Sequence, residues 1–500
     1  MDQKEYNVSI DYGNDPEYIY YDSFDVHLQY RRTKDYKKSI YGHPVTFIRL
    51  FCVLVARGGF ILIHLGSVPT DNIYRVIFYN IFQMANSTIS YIFFGLMVSF
   101  GDISFGGWIG YSEFTSYDMD LAVFGFCCCL IGTAQISTFL TGRVHLATSI
   151  IVTTLYSIII QPLLMHWIWH DEGWMNKNIL LDKRVSVKDY GGDLIVHLSS
   201  SLMGFIGAAF LGRRLMRVKD LDERSIGVGQ SGGTITGYIL IIAGYIALSL
   251  PTLKYESERA PKNFMNIVLI NNFIALATGV AVVSILHLLL FRKVFSYWIV
   301  LRCIQGGIAG IISIAAAVDA YSWIHCVAVG VVAAVCFFFV SILIHNTALE
   351  DYCNVTAGVM ASSTIGIMAC PILLGSENFG GRSKKIHVLW QFICFLIVLS
   401  SITVVAWLLF MLLSMCKVLR NKKEEENHRR ALVIKKYLPK RGFMERLFAI
   451  DSKTEHVTPG KDKLKSVRID RTIETDKDVE RRGTFGDSFS GEDTLSRGLS

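Results

Sequence analysis

Long apolar blocks separated by short polar stretches dominate the chain. The blocks cover residues 46–66, 77–100, 121–141, 146–168, 192–212, 232–250, 265–291, 296–317, 323–344, 353–375 and 386–415. Most hold about 20 residues with few charges, the length an α-helix needs to cross a hydrocarbon core of about 30 Å. Inside lipid each backbone polar group needs a partner within the protein, and a helix supplies it within one segment. The pattern predicts an all-α polytopic membrane protein with eleven transmembrane helices. It also divides the chain into a polar N-terminal segment, 1–45, a membrane domain, 46–416, and a polar, largely disordered tail, 417–500. A water-soluble enzyme with a continuous polar surface is excluded.

Composition agrees with this reading and refines it. Hydrophobic residues make up 52% of the 500 and charged ones 18%, where a soluble domain carries about 25% charged residues. Forty-one glycines stand against nine prolines, which suits closely packed membrane helices. Residues 306–317 read GGIAGIISIAAA, with Gly306 and Gly310 in GxxxG spacing. The 11 cysteines form no C-x-x-C pair and no zinc spacing, so neither a metal nor a cofactor is expected. The net charge of +7 is concentrated in the tails and a few loops, with no module for reading bases. No nucleic-acid partner follows from it; the lipid bilayer is the expected surrounding.

The distribution of Lys and Arg predicts orientation. Lys417, Arg420, Lys422, Lys423, Arg429, Arg430, Lys435 and Lys436 follow the last block, and Arg213, Arg214, Arg217, Lys219 and Arg224 fall on the same side. On the other side, 101–120 carries Asp102, Glu113, Asp118 and Asp120 without Lys or Arg, although 169–191 there holds Lys177, Lys183, Arg184 and Lys188. The expectation is a plasma-membrane protein with its N-terminus extracellular and its C-terminus cytosolic. No removable signal peptide is visible. Asn7, in Asn-Val-Ser, is then an exposed glycosylation sequon.

Ionisable residues at membrane depth are costly and are functional candidates. Arg57 and His64 lie in the first block, Asp193 and His197 in the fifth. The last two are four apart, on one helical face. They read either as a proton or cation relay lining a pore or as a satisfied buried pair that holds packing. No nucleophile stands at matched spacing and no phosphate-binding loop is present, so an enzyme is not expected.

Residues 166–197 read HWIWHDEGWMNKNILLDKRVSVKDYGGDLIVH. This resembles the Amt/Mep/Rh ammonium transporters, the Amt branch in particular, where an HW-x-W…GW stretch precedes a D-x-x-G-x-x-x-x-H helix start. GFILIHLGSVPTDN at 59–72, GGIAGIISIAA at 306–316 and DYCNVTAG at 351–358 resemble that family's first, eighth and tenth helices, in order. The resemblance spans about 46–416. It implies two pseudo-symmetric five-helix halves plus a long last helix, assembled as a trimer. Each subunit would hold a narrow apolar pore lined by two histidines, below an aromatic vestibule that recruits ammonium.

Carried over residue by residue, the resemblance implies Asp189 as the recruitment-site aspartate, Trp169 as the vestibule tryptophan, Thr252 as the vestibule hydroxyl and His197 as the first pore histidine. The second pore histidine falls on Thr356, and the two gate phenylalanines fall on Cys128 and Leu248, with Phe126 close to the former. Asp193 replaces a small residue and His64 a glutamate. In the loop after the third block the family's A-E-R reads Thr141, Gly142, Arg143. Thr does not titrate near neutrality, and two lost rings remove cation–π attraction of about 0.5–2 kcal/mol each. The chain is therefore expected to transport ammonium or ammonia by a changed route, to pass another small cation, or to have lost transport. In the last case it would be an ammonium sensor or a regulatory subunit of a mixed trimer. In the tail, Leu419-Arg420 followed by Glu424, Glu425 and Glu426 resembles the start of the family's cytosolic segment, or else is a solvated amphipathic run. Arg481-Arg482-Gly483-Thr484 is a basophilic kinase-like site with Thr484 as acceptor.

Overall fold

A computed structural model describes residues 42–66, 73–111, 119–212, 228–251, 264–290, 297–347, 349, 351, 353–375, 384–422 and 424–426. In chain order these form α1 (Gly42–Gly66), α2 (Ile73–Phe100), the hairpin β1–β2 (Ile103–Phe105, Ile109–Tyr111), α3 (Met119–Leu140) and α4 (Leu146–Trp169). A second hairpin, β3–β4 (Asn178–Leu180, Lys183–Val185), leads to α5 (Asp193–Leu211) and α6 (Val228–Leu248). Then follow α7 (Phe264–Leu290), α8 (Tyr297–Ala317), α9 (Trp323–Asn346), α10 (Thr356–Leu373) and α11 (Lys384–Met415). Both hairpins are antiparallel. By contacts the chain divides into Met1–Ile344 with Leu349–Tyr437, and His345–Ala348 with Leu438–Ser500. Apart from 345–347 the second unit lies outside the described residues.

Ten helices among the described residues are long and apolar enough to cross a membrane. The expected count of eleven is not reached on that measure. Block 232–250 forms the apolar stretch Gly232–Leu248 of α6, which is shorter. The helix as a whole, Val228–Leu248, has 21 residues.

Small residues decide how the helices meet. A Cβ on Gly59 of α1 would stand 2.5 Å from the Gly237 carbonyl oxygen of α6, and one on Gly237 2.6 Å from the Gly59 carbonyl oxygen. The backbones of α1 and α6 thus touch directly. The GxxxG pair of α8 works the same way against α7: a Cβ on Gly306 would run into Val283, and one on Gly310 into the Ala275 carbonyl. Such close approach favours association where no hydrophobic force operates between helices in lipid. Large apolar side chains such as Phe51, Ile81, Leu288, Leu396 and Trp407 are exposed, while Arg49, Arg57, His64, Asp193 and His197 are buried. Apolar groups outside and polar groups inside is the arrangement a bilayer requires.

Four of the helices contain a wider turn. α2 and α4 have it at Tyr91–Gly95 and Tyr156–Ile160; α5 and α10 open with it, at Asp193–Leu198 and Thr356–Ala361. In α4 the turn lies just before Pro162, whose missing N–H breaks the regular ladder. After α11 the chain returns to the loop between α3 and α4. Val144 pairs with Arg420 in an antiparallel bridge, and Asn421 donates its N–H to the Arg143 carbonyl at 2.9 Å and its side-chain amide to that of Gly142 at 2.8 Å. Arg143 forms an ion pair with Glu424 at 2.7 Å. Arg420, Asn421 and Glu424 are thus packed on the bundle.

Candidate functional site

Two carboxylates cap the helices that open with wide turns. Asp189 Oδ2 accepts the N–H groups of Leu194 at 3.0 Å and Ile195 at 3.2 Å. It takes the orphan donors that every helix start presents. Gly192, at φ 85°, makes the reversal that brings the carboxylate back over the helix end. Burial raises the Asp189 pKa to about 6, against the backbone N–H groups that lower it. At the start of α10 Asp351 accepts the N–H groups of Val355 at 3.0 Å and Thr356 at 2.6 Å. Burial raises its pKa too, opposed by its bonds to Thr356 and Val355.

His197 lies on the first turn of α5, fully buried. The side-chain amide of Gln135 on α3 donates to its Nδ1 at 3.0 Å and also reaches the Tyr245 hydroxyl of α6 at 2.9 Å. The Ser200 hydroxyl donates to Gln135 Oε1. The Tyr245 ring stands edge-on to the imidazole, 5.2 Å between centroids. Beyond this cluster lies a cavity of about 30 Å³, reached by Gln135, Tyr238, Tyr245, Gln305 and Asn354 together with apolar Phe60, Ile63 and Val355. That volume holds one or two waters. Its far polar wall is a chain in which Asn354 donates to Gln305 at 2.7 Å and Gln305 to the Tyr238 hydroxyl at 2.9 Å. Thr356 is buried on the turn of α10 that packs against the first turn of α5.

Beside the Asp189 cap, at this same N-terminal end of α5, is an aromatic cluster. Trp169 Nε1 donates to the Asp189 carbonyl at 2.6 Å, and its ring packs against Phe124 with centroids 4.8 Å apart. The guanidinium of Arg49 lies over the opposite partner, its carbon 5.2 Å from the Phe124 centroid. Cys128 is one turn further along α3 than Phe124; Cys128 and Leu248 are both fully buried.

Asp193 faces the last turn of α8. Its Oδ2 accepts the Ala316 N–H at 3.0 Å, and its Oδ1 has no hydrogen-bond partner. No hydrogen bond joins it to His197, whose ring is turned to α3 and α6. Arg57 donates to the Leu130 carbonyl at 3.1 Å, and His64 bonds Asn80 at 2.9 Å and Thr138 at 3.1 Å, a buried polar cluster among α1, α2 and α3. Thr252, Thr484 and Asn7 lie outside the described residues. Among the described residues no group of three His, Cys, Asp or Glu side chains is placed to hold a metal.

Sequence reasoning missed Gln135, Tyr245, Phe124 and Arg49. Arg49 carried a readable signal, since it is ionisable and sits inside the first apolar block, as Arg57 does. Gln135 carried a weaker one as an amide in the third block.

A family model described as the Ammonium Transporter Family matches residues 45–432. Putative ammonium transporter 1 of Caenorhabditis elegans is 24% identical over 388 residues, covering 72% of this chain and 70% of that protein. An ammonium transporter of Aquifex aeolicus is 24% identical over 395 residues, covering 74% of this chain and 86% of its own length. Two solved structures share the fold. One, described as a sensor Amt protein, gives a TM-score of 0.65 at 19% identity, covering 77% of this chain and 96% of the other. Mep2 of Saccharomyces cerevisiae gives 0.61 at 17% identity, covering 76% and 87%.

Proposed function

Because the chain belongs to the ammonium transporter family, we propose that it carries ammonium or ammonia across a membrane, through a path of its own inside the subunit. The observation that carries this reading beyond family membership is the buried His197–Gln135–Tyr245 cluster, joined to a small cavity between the two halves. A buried polar cluster beside a small cavity suits a small solute that hydrogen-bonds and loses its water. In this reading His197 is the pore hydrogen-bonding residue, and Gln135 supplies the partner that a second histidine gives in the family pattern. Thr356 stands at that second position. Cys128 and Leu248 form the narrow entry, Asp189, Trp169 and Thr252 the recruitment site, and Asp193 a further polar group beside the path.

The finer assignments belong to the same proposal. The chain is read as an Amt-branch member with one pore histidine replaced, working in the plasma membrane as a homotrimer or in a mixed trimer. Its segment 1–45 lies outside, its membrane domain is 46–416, and its tail 417–500 is cytosolic, with Asn7 and Thr484 as modification sites. The matched family is one of transporters, so the sensing alternative is not favoured.

The test is flux. The chain is expressed alone in cells lacking their own ammonium transporters, beside a Thr356→His variant, and methylammonium uptake is measured. Uptake by the native chain supports a working path with a changed relay. No uptake at confirmed surface expression, with uptake gained by Thr356→His, would overturn transport by the native chain and reinstate the sensing alternative.

A further inference from the structure

Arg49 is a buried cation that the transport reading leaves unused. Its Nη2 donates to the carbonyls of Leu250 at 2.8 Å and Pro251 at 2.6 Å. Its guanidinium carbon lies 5.2 Å from the centre of the Phe124 ring. Its Nη1 is 3.7 Å from Asp120 Oδ1, a carboxylate that also accepts the Thr46 hydroxyl. Nε and Nη1 make no hydrogen bond. The side chain is fully buried.

An aromatic face, two carbonyl oxygens and a nearby carboxylate are the groups that stabilise a monovalent cation once water is stripped from it. Here they converge on one point, and the protein's own guanidinium fills it. The place matters as much as the chemistry. The ring that Arg49 covers is the one packed on Trp169, and the carbonyls it takes belong to the two residues just before Thr252. Trp169 and Thr252 are the positions that the family resemblance gives to cation recruitment.

We infer that Arg49 is the resident occupant of the cation seat at this end of the path, a tethered guanidinium with which incoming ammonium must compete. The inference rests on the transport reading. A second cation a few ångströms from a guanidinium in a dry site is repelled, since little solvent screens the pair. The Phe124 face and both carbonyls are already taken. The native chain is therefore tuned to high ammonium concentrations, and removing the occupant opens a seat for an external cation.

The experiment uses the full chain with two substitutions. Arg49→Gln keeps a neutral polar side chain and removes the charge; Arg49→Met removes both polarity and charge. Each is expected to lower the half-saturating methylammonium concentration by roughly 2- to 30-fold, the range that one cation–aromatic contact spans. Each should also gain sensitivity to guanidinium chloride at millimolar concentration, with sodium chloride as the ionic-strength control. Guanidinium should inhibit uptake by the variants and raise the melting temperature of the purified variants, and do neither to the native chain. The melting readout stands without flux: stabilisation by guanidinium in proteins that take up nothing would keep the seat and remove the transport reading. Well-folded variants with native half-saturation and no response to guanidinium overturn the inference. So does loss of both variants from the membrane while Arg49→Lys reaches it, because the side chain is then a structural cation only.

Discussion

The Gln135 amide of α3 donates to Nδ1 of His197 on α5 at 3.0 Å. An amide nitrogen only donates, so Nδ1 accepts and the neutral ring carries its proton on Nε2. The bond sets the tautomer and aims the ring, with Tyr245 closing the other side. Gln135→Leu leaves Nδ1 and the Tyr245 hydroxyl without their amide in a dry interior. The expected cost is about 1–3 kcal/mol of stability, with a larger proportional loss of uptake than Thr138→Ser gives. Melting of the purified protein and methylammonium uptake check it; a Gln135→Leu chain with native values in both would remove the amide from the site.

Asp189 predicts a pH response. Its pKa is raised by burial to about 6 from 3.8, despite the helix N–H groups that lower it. The carboxylate is thus charged above about pH 6 and neutral below. If its charge helps hold a cation at the entry, uptake falls as the pH on that side drops from about 7 to about 5. Methylammonium stays a cation throughout that window, so its own titration is not the cause. The stability sign is separate. A raised pKa means the folded chain binds the proton more tightly than the unfolded one, so this residue's contribution declines as pH rises from 3.8 towards about 6. Asp189→Asn keeps an acceptor oxygen for the helix end and should flatten the uptake profile. A native profile already flat over the window would show that the charge plays no part.

The crossing of α1 and α6 gives a sharper mechanical prediction. A Cβ on Gly59 would lie 2.5 Å from the Gly237 carbonyl oxygen and 3.0 Å from Leu240 Cβ, whereas one on Gly58 meets nothing within 4 Å. Gly59→Ala must push two helix backbones apart, an overpacking cost of about 1–3 kcal/mol. Gly58→Ala removes a helix-weakening glycine at no steric cost and should be neutral or stabilising by up to about 1 kcal/mol. Detergent-solubilised melting curves of the pair decide it, and equal curves would mean that the crossing has slack.

These glycines also show what can be read from a sequence and what cannot. The apolar blocks announce the helices because membrane thickness imposes a length, and Gly306 with Gly310 announces a contact because their spacing is one turn. Gly59 and Gly237 have no mutual spacing to read; their contact exists only once α1 has met α6. The site divides the same way. Asp189, Trp169 and His197 could be singled out because one stretch of chain, 166–197, carries the family resemblance. Arg49 and, more weakly, Gln135 stood out only as polar groups in apolar blocks; what makes them functional candidates is a ring on α3 in one case and a ring on α5 in the other. The spacing of Asp193 and His197 put them on one face, but a shared face does not fix a partner. The donor that Asp193 takes is Ala316 N–H, more than a hundred residues away.

Asp193 accordingly separates charge from hydrogen bonding. Its Oδ2 answers Ala316 N–H at 3.0 Å, and its Oδ1 answers nothing. A buried anion with one satisfied oxygen gains little from its charge. Asp193→Asn retains an acceptor for Ala316 and should keep both fold and uptake. Asp193→Ala orphans the Ala316 N–H and should cost about 1–3 kcal/mol. Loss of uptake in Asp193→Asn at unchanged stability would instead restore the charge as a working partner of His197.

The last prediction concerns the segment after α11. Arg143 is almost wholly buried, and its guanidinium is shared between Glu424 at 2.7 Å and the carbonyls of Leu211 at 3.1 Å and Gly212 at 2.8 Å. Its two partners are therefore unequal. The carbonyls end α5, where the helix dipole already favours a cation, so Glu424→Gln leaves Arg143 with two good acceptors and an amide in place of the carboxylate. Arg143→Met removes the donor from all three at once, leaving only Arg420, which donates to the Phe210 carbonyl at 2.7 Å, at the α5 end. Glu424→Gln should cost about 1 kcal/mol or less, and Arg143→Met about 3–5 kcal/mol, the range for breaking a buried pair from one side. The asymmetry should appear in limited proteolysis. Residues 418–426 should become cleavable in Arg143→Met while α3 and α5 stay protected, and remain protected in Glu424→Gln. Equal cleavage in the two variants would mean that the carbonyl bonds of Arg143 to α5 add nothing to the hold of the ion pair on the segment.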